Sequence, residues 1–167
     1  MDVDKLKQLF PTLEDSLLEE IGKQGTIKQV KAGEALLKVG QTIRSTMLVI
    51  DGLIKLYRED DEGKEFFIYH LDAGQACSLS MVCAAKHETS EVLAKALTDA
   101  TVLAIPLEFM DQWMSKYKSW YQFVITSYLL KDESGKDVAL FSGDTLFIGD
   151  VGRPDLAQKK AASQKKI

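Results

Sequence analysis

At 167 residues the chain is long enough to bury one substantial core, with room for a small appendage. Hydrophobic residues make up 46% and charged residues 28%, a globular balance that excludes wholesale disorder. The net charge of -4 leaves no basic footprint for nucleic acid, and the Lys-rich run at 159–166 reads as a solvated end. No apolar run reaches membrane-spanning length, and charged Asp2, Asp4 and Lys5 replace a signal peptide, so a cytoplasmic chain without membrane insertion is expected. Two cysteines do not make a secreted disulfide framework.

Taken in order, residues 1–23 look helical. Thr12 followed by Asp15 resembles a capping box, Leu13, Leu17, Leu18 and Ile21 share one face, and Gly22 and Gly25 end the segment. Two strands are expected at 26–31 and 34–39, with turns at Ala32-Gly33 and Val39-Gly40. A ladder of β-rich runs then follows at 46–50, 53–57, 65–71, 91–97 and 101–105. Asp51-Gly52, Asp60 to Gly63 and Asp72 to Gly74 separate the first four, because Asp and Gly tolerate the positive φ that tight turns need. No helical stretch interrupts the first three runs, so they are expected to pair antiparallel. The pattern predicts a mainly β protein with flanking helices, a small barrel or jelly-roll.

After Pro106 the period changes. Leu107, Met110, Trp113 and Met114 are spaced for a helix, and Pro106 stands where a helix start tolerates a missing N–H. A polar break at 115–119 precedes a second helical stretch carrying Trp120, Tyr121, Val124, Ile125, Tyr128 and Leu129. That apolar face is wide. Either the excess meets a partner helix, giving a homodimer through 119–131, or one helix is buried against its own barrel. From Asp132 a polar turn leads to apolar runs at 138–141 and 145–148 and a polar end.

This order resembles the sensor domain of Crp/Fnr regulators, the cyclic-nucleotide-binding-like double-stranded β-helix with N-terminal helices and a C-terminal helix pair. The residues that carry the likeness are Val30 to Glu34, Met47 to Tyr57, Glu62 to Glu65, His70 to Gly74 and Leu103 to Pro106. It covers about 5–131, implying a β-roll at 26–105 and helices at 107–131. Relatives that bind cyclic nucleotides hold the phosphate on the N–H groups of a short helix and on an arginine, with a glutamate on the ribose. The corresponding stretch here begins at Gly74 and ends at Ser90. Ser78 and Leu79 stand where Gly-Glu would be, and Thr89 where the arginine would be. A phosphate without its guanidinium loses an interaction usually worth about 1.5–3 kcal/mol. Lys86 or Lys95 could supply only a point charge.

The candidate effector pocket is therefore Gly74, Cys77, Ser78, Leu79, Thr89 and Ser90, with a small-molecule effector that is not obviously a cyclic nucleotide. Cys77 and Cys83 flank a short apolar stretch, and a helix dipole with Lys86 and His87 nearby would favour thiolate, which makes a redox or sulfur sensor one alternative. The other is that both are small buried hydrophobes. Two cysteines fall short of a zinc or iron–sulfur ligand set, and His70 and His87 read as surface or satisfied residues, so no metal or cofactor is expected.

Residues 142–156, Ser-Gly-Asp-Thr-Leu-Phe-Ile-Gly-Asp-Val-Gly-Arg-Pro-Asp-Leu, are similar to a piece of the metallo-β-lactamase fold in its glyoxalase II and persulfide dioxygenase branch. The likeness spans 132–158 and implies Asp144 as a metal ligand. Its partner histidines are missing, since His70 and His87 are not spaced as His-x-His-x-Asp-His. The expectation is a fragment over 132–167 that is neither an independent domain nor an enzyme, with Phe141, Leu146, Phe147 and Ile148 packed on the β-roll or on a dimer partner as a short hairpin. The organisation expected is a sensor at 1–131 without the helix-turn-helix of complete regulators, and hence no nucleic-acid binding by this chain alone. The rival reading is a non-functional fusion or deletion product of a regulator and a hydrolase gene.

Overall fold

The computed structural model describes residues 1–85, 89–127, 129–131, 137–140 and 146–147. They fall into two compact units, 1–124 and 125–167. The first begins with two helices rather than one, α1 (Val3–Leu9) and α2 (Asp15–Gln24). Pro11, which cannot donate an N–H, stands in the break between them. Asp2 caps α1 by accepting from the Asp4 N–H. The expected capping box does not form. Glu14, not Thr12, occupies the cap of α2, and Gly22 lies inside that helix.

Two antiparallel sheets follow. β1 (Thr26–Val30), β7 (Ala100–Pro106) and β3 (Ser45–Asp51) form one, in that order. The other, in order β2-β6-β4-β5, joins β2 (Ala35–Leu37), β6 (Leu93–Ala96), β4 (Ile54–Glu59) and β5 (Glu65–Leu71). The predicted pairing of the first three runs holds only for β4 with β5. β3 instead pairs with β7, because the chain leaves one sheet for the other at Asp51-Gly52. Gly52 has φ +89°, and a Cβ there would lie 2.6 Å from the Asp99 carbonyl oxygen, so only glycine fits this crossing.

The inner faces of the two sheets enclose a core that includes Val30, Leu37, Met47, Val49, Ile54, Leu56 and Val102. Alternation along β3 and β7 then turns Leu48 and Leu103 to the opposite face, where α2 and the later helix α4 (Leu107–Lys116) lie against β7. With both faces covered, residues 46–50 of β3 are buried without a break. The edge strands β1 and β5 remain largely exposed, and β5 shows Phe66 and Phe67 to solvent.

Pro106 ends β7 and serves as the cap residue of α4 instead of its first helical position. α5 (Lys118–Ser127) starts after one intervening residue, so the polar break is shorter than expected. Its wide face divides: Trp120 and Val124 are buried while Tyr121 and Ile125 are exposed. Trp120 stacks on Phe123 and meets Trp113 edge-on, and Phe123 meets Phe10. Leu129, expected at the end of this helix, belongs to a strand. In the second unit β8 (Leu129–Lys131), β9 (Asp137–Leu140) and β10 (Leu146–Phe147) form an antiparallel sheet in the order β10-β9-β8. The expected hairpin corresponds to β9 and β10; Phe141, Asp144 and Ile148 lie outside the described residues.

Two long-range polar contacts hold the helices together. The Ser119 hydroxyl accepts from the Glu14 N–H (3.1 Å) and donates to the Glu14 carboxylate (2.8 Å), doing from 105 residues away what a local cap would do. Glu20 accepts from the Trp113 indole (2.7 Å), the Tyr117 hydroxyl (2.8 Å) and the Lys116 ammonium.

Candidate functional site

The turn after β5 uses Gly74 at φ +85°, where a Cβ would meet the Leu9 carbonyl oxygen at 2.8 Å. From there the chain runs beside β3. Gly74 N–H donates to Val49 O, and Cys77 N–H donates to Met47 O. This pins the start of α3 (Ser78–Ala85) beside the roll. Gly74, Cys77, Ser78 and Leu79 thus lie along one stretch from this turn into the first turn of α3.

Their environment is closed. Cys77 has no solvent exposure and its side chain belongs to the core between the sheets. Ser78 is buried with its Oγ 3.2 Å from the Tyr69 hydroxyl of β5. Burial pushes that hydroxyl well above its usual pKa, and the nearby Cys77 adds to the rise. One residue further on, the Ser80 hydroxyl donates to Cys77 O (2.7 Å) and pairs with Thr46 Oγ1 (3.0 Å). The side-chain hydroxyls of Ser78 and Ser80 at the head of α3 are therefore engaged by the protein itself. Tyr69 was missed in the sequence, since a tyrosine on a strand carries no local signal that its hydroxyl will reach a distant helix start.

Thr89 and Ser90 lie elsewhere, beside the chain at 41–42. Thr89 is exposed and bridges Thr42, while Ser90 is buried, donates its backbone N–H to Gln41 O and turns its hydroxyl to Val92. The Cys83 backbone falls within α3, but its side chain, with Lys86 and His87, lies outside the described residues. Among the described residues no cluster of three His, Cys, Asp or Glu could hold a metal. No described helix is long and apolar enough to cross a membrane.

A cavity of about 350 Å³ opens at the seam between edge strands β1 and β2. Ser80 lines it, whereas none of Gly74, Cys77, Ser78, Leu79, Thr89 and Ser90 does. The sequence reading did not find it, because residues far apart in the chain build its walls.

Two facing antiparallel sheets, a short helix set into the roll after β5 and a helical layer on one side define a β-roll of the jelly-roll kind. Residues 27–117 match the cyclic nucleotide-binding domain family model, and the chain belongs to that family. Among solved structures, the sensor domain of the transcriptional regulator DNR from Pseudomonas aeruginosa superposes with TM-score 0.62 at 16% identity, over 71% of this chain and 80% of that one. The catabolite activator protein of Thermus thermophilus gives TM-score 0.56 at 18% identity, over 71% of this chain and 53% of that one. These likenesses show the fold. A curated relative is patatin-like phospholipase domain-containing protein 6 of mouse and human, 27% identical over 109 residues, or 62% of this chain. The match covers 8% of that protein's length. The family match stops at residue 117, and these comparisons lend nothing to a metallo-β-lactamase likeness in the tail.

Proposed function

We propose that residues 1–131 are the effector-binding sensor of a Crp/Fnr-type regulator and that its effector is a small molecule other than a cyclic nucleotide. One observation carries this reading: the Tyr69 hydroxyl lies 3.2 Å from Ser78 Oγ, at the head of the short helix where relatives seat a phosphate. Leu79 and Thr89 also replace the ribose-binding carboxylate and the phosphate-binding guanidinium implied by the family pattern. A neutral, buried hydroxyl in that seat leaves an anion no desolvated partner. The burial of Cys77 weighs against a thiol sensor at that position, since a reactive thiol needs access. In this reading the exposed Tyr121 and Ile125 of α5 pair two copies of a cytoplasmic chain.

The test is a melt of the full chain, followed by circular dichroism, with millimolar cyclic AMP and then cyclic GMP. A ligand at 100 times its Kd adds about 2.7 kcal/mol, and each kcal/mol moves Tm by about 2–4 °C at this size. No shift beyond that given by the same concentration of the linear mononucleotide is expected. A saturable shift of several degrees with either cyclic nucleotide would overturn the reading.

A further inference from the structure

The cavity at the β1–β2 seam has the build of a site for an amphiphilic anion. Part of its wall is apolar, since Val30, Leu37, Met47 and Val102 all belong to the core between the sheets, and Gln29, Gln41, Ser45 and Ser80 make much of the rest polar. Two cations line it as well. Lys28 stands opposite Val102 in the β1–β7 register, so its stem shares the inward face of the sheet, and Arg44 comes from the chain just before β3. Both are exposed, and among the described residues neither has a carboxylate within ion-pair distance. The acidic residue in the wall, Glu34, accepts the Lys31 backbone N–H through Oε2 at 3.0 Å.

We propose that this cavity is the effector site and takes a small molecule with one carboxylate on an apolar body. The inference rests on the reading of the chain as an effector-binding module and names the ligand class. Arg44 pairs with the carboxylate through its guanidinium fork, Lys28 adds a point charge, and the apolar body displaces water from Met47 and Val102. At roughly 30 Å³ for each water-sized group, the space suits a body of about a dozen non-hydrogen atoms. The site also has a route to the helices, because the Arg44 carbonyl accepts the Leu107 N–H (3.2 Å) at the start of α4, and Leu107 packs against the same core.

The experiment is a titration of the full chain, labelled with ¹³C at its methionine methyls, with decanoate as the probe and 1-decanol as its neutral counterpart. Of the five methionines only Met47 lines the cavity, while Met81 sits in α3 and reports on the other seat. The expected result is a saturable shift of the Met47 methyl with decanoate, at least tenfold weaker with 1-decanol. It should weaken at least tenfold in a Lys28→Glu/Arg44→Glu double variant whose unliganded melt matches the parent. Lys28→Gln/Arg44→Gln, which keeps the side-chain stems, should give an intermediate loss, and it decides the matter if the charge reversal does not fold. Absence of a saturable Met47 shift, equal binding of the alcohol, or undiminished binding by the folded charge variants would each overturn the site. A saturable Met81 shift with cyclic AMP would instead overturn the part of the proposed function that excludes cyclic nucleotides, so the two failures are separable.

Discussion

Gly52→Ala tests the sheet-to-sheet crossing, and Gly33→Ala is its internal control. Both glycines have nearly the same backbone, φ +89° and +86°. An alanine at either pays the left-handed strain, about 1 kcal/mol. They differ in what the new methyl meets. At Gly33 nothing lies within 4 Å, whereas at Gly52 the Cβ would fall 2.6 Å from Asp99 O and 2.7 Å from the Ala100 Cα and Cβ. Those atoms cannot step aside, because Leu53 N–H is bonded to Thr98 Oγ1 and Leu97 N–H to Leu53 O across the crossing. Overpacking of this kind costs about 1–3 kcal/mol beyond the strain. Gly33→Ala should therefore lower Tm by about 2–4 °C and Gly52→Ala by about 4–16 °C. Urea unfolding followed by circular dichroism should rank the midpoints the same way at equal m. Equal losses in the two variants would refute the close approach as the reason for glycine.

The Glu20 cluster predicts an acid-side loss. Lys116 first, then Tyr117 and Trp113, hold the Glu20 carboxyl below its usual range of 4.5. A depressed carboxyl gives stability that is present above its unfolded pKa and fades as pH falls through the folded one. Tm should thus drop below about pH 4.5, and Glu20→Gln should flatten that limb; an unchanged limb in the variant would sink the assignment. Lys116, pushed up to about 12, contributes below its unfolded value near 10.5 and loses this only as pH rises through about 12. The two tryptophans should also part company. Trp113→Phe removes a donor from Glu20, whereas Trp120 Nε1 is buried with no partner among the described residues. Trp120→Phe relieves an unmet donor, so it should destabilise less than Trp113→Phe by about 1 kcal/mol. The reverse order in urea midpoints would contradict the assigned hydrogen bonding.

The strands were legible because β-branched and aromatic runs ended at Asp and Gly; the β5 boundaries, 65–71, coincide in sequence and structure. Pairing was not. Hairpin logic is local, and it joined β3 to β4 across a turn that in fact carries the chain between sheets. The cap of α2 failed for the same reason, since Ser119 reaches Glu14 from 105 residues away and no local motif announces it. Leu129 continued a helical apolar period, yet its pairing in a sheet with Leu140 overrode that preference. At the candidate site, the likeness to a known family pointed to Ser78 and Leu79, which the structure places at the head of α3. Tyr69, Arg44 and Lys28 stayed invisible because each matters only through a neighbour brought in by the fold.

The aromatic row of the helical layer has an optical consequence. The chain has two tryptophans, Trp113 and Trp120, both at or below 1% exposure and 5.5 Å apart edge-on. Their emission reports the docking of α4 and α5 and is nearly silent about the β-roll. Far-ultraviolet dichroism sees both. If the helical collar loosens before the sheets part, the two signals will separate on heating, and the gap between them will measure how firmly the roll and its collar unfold as one.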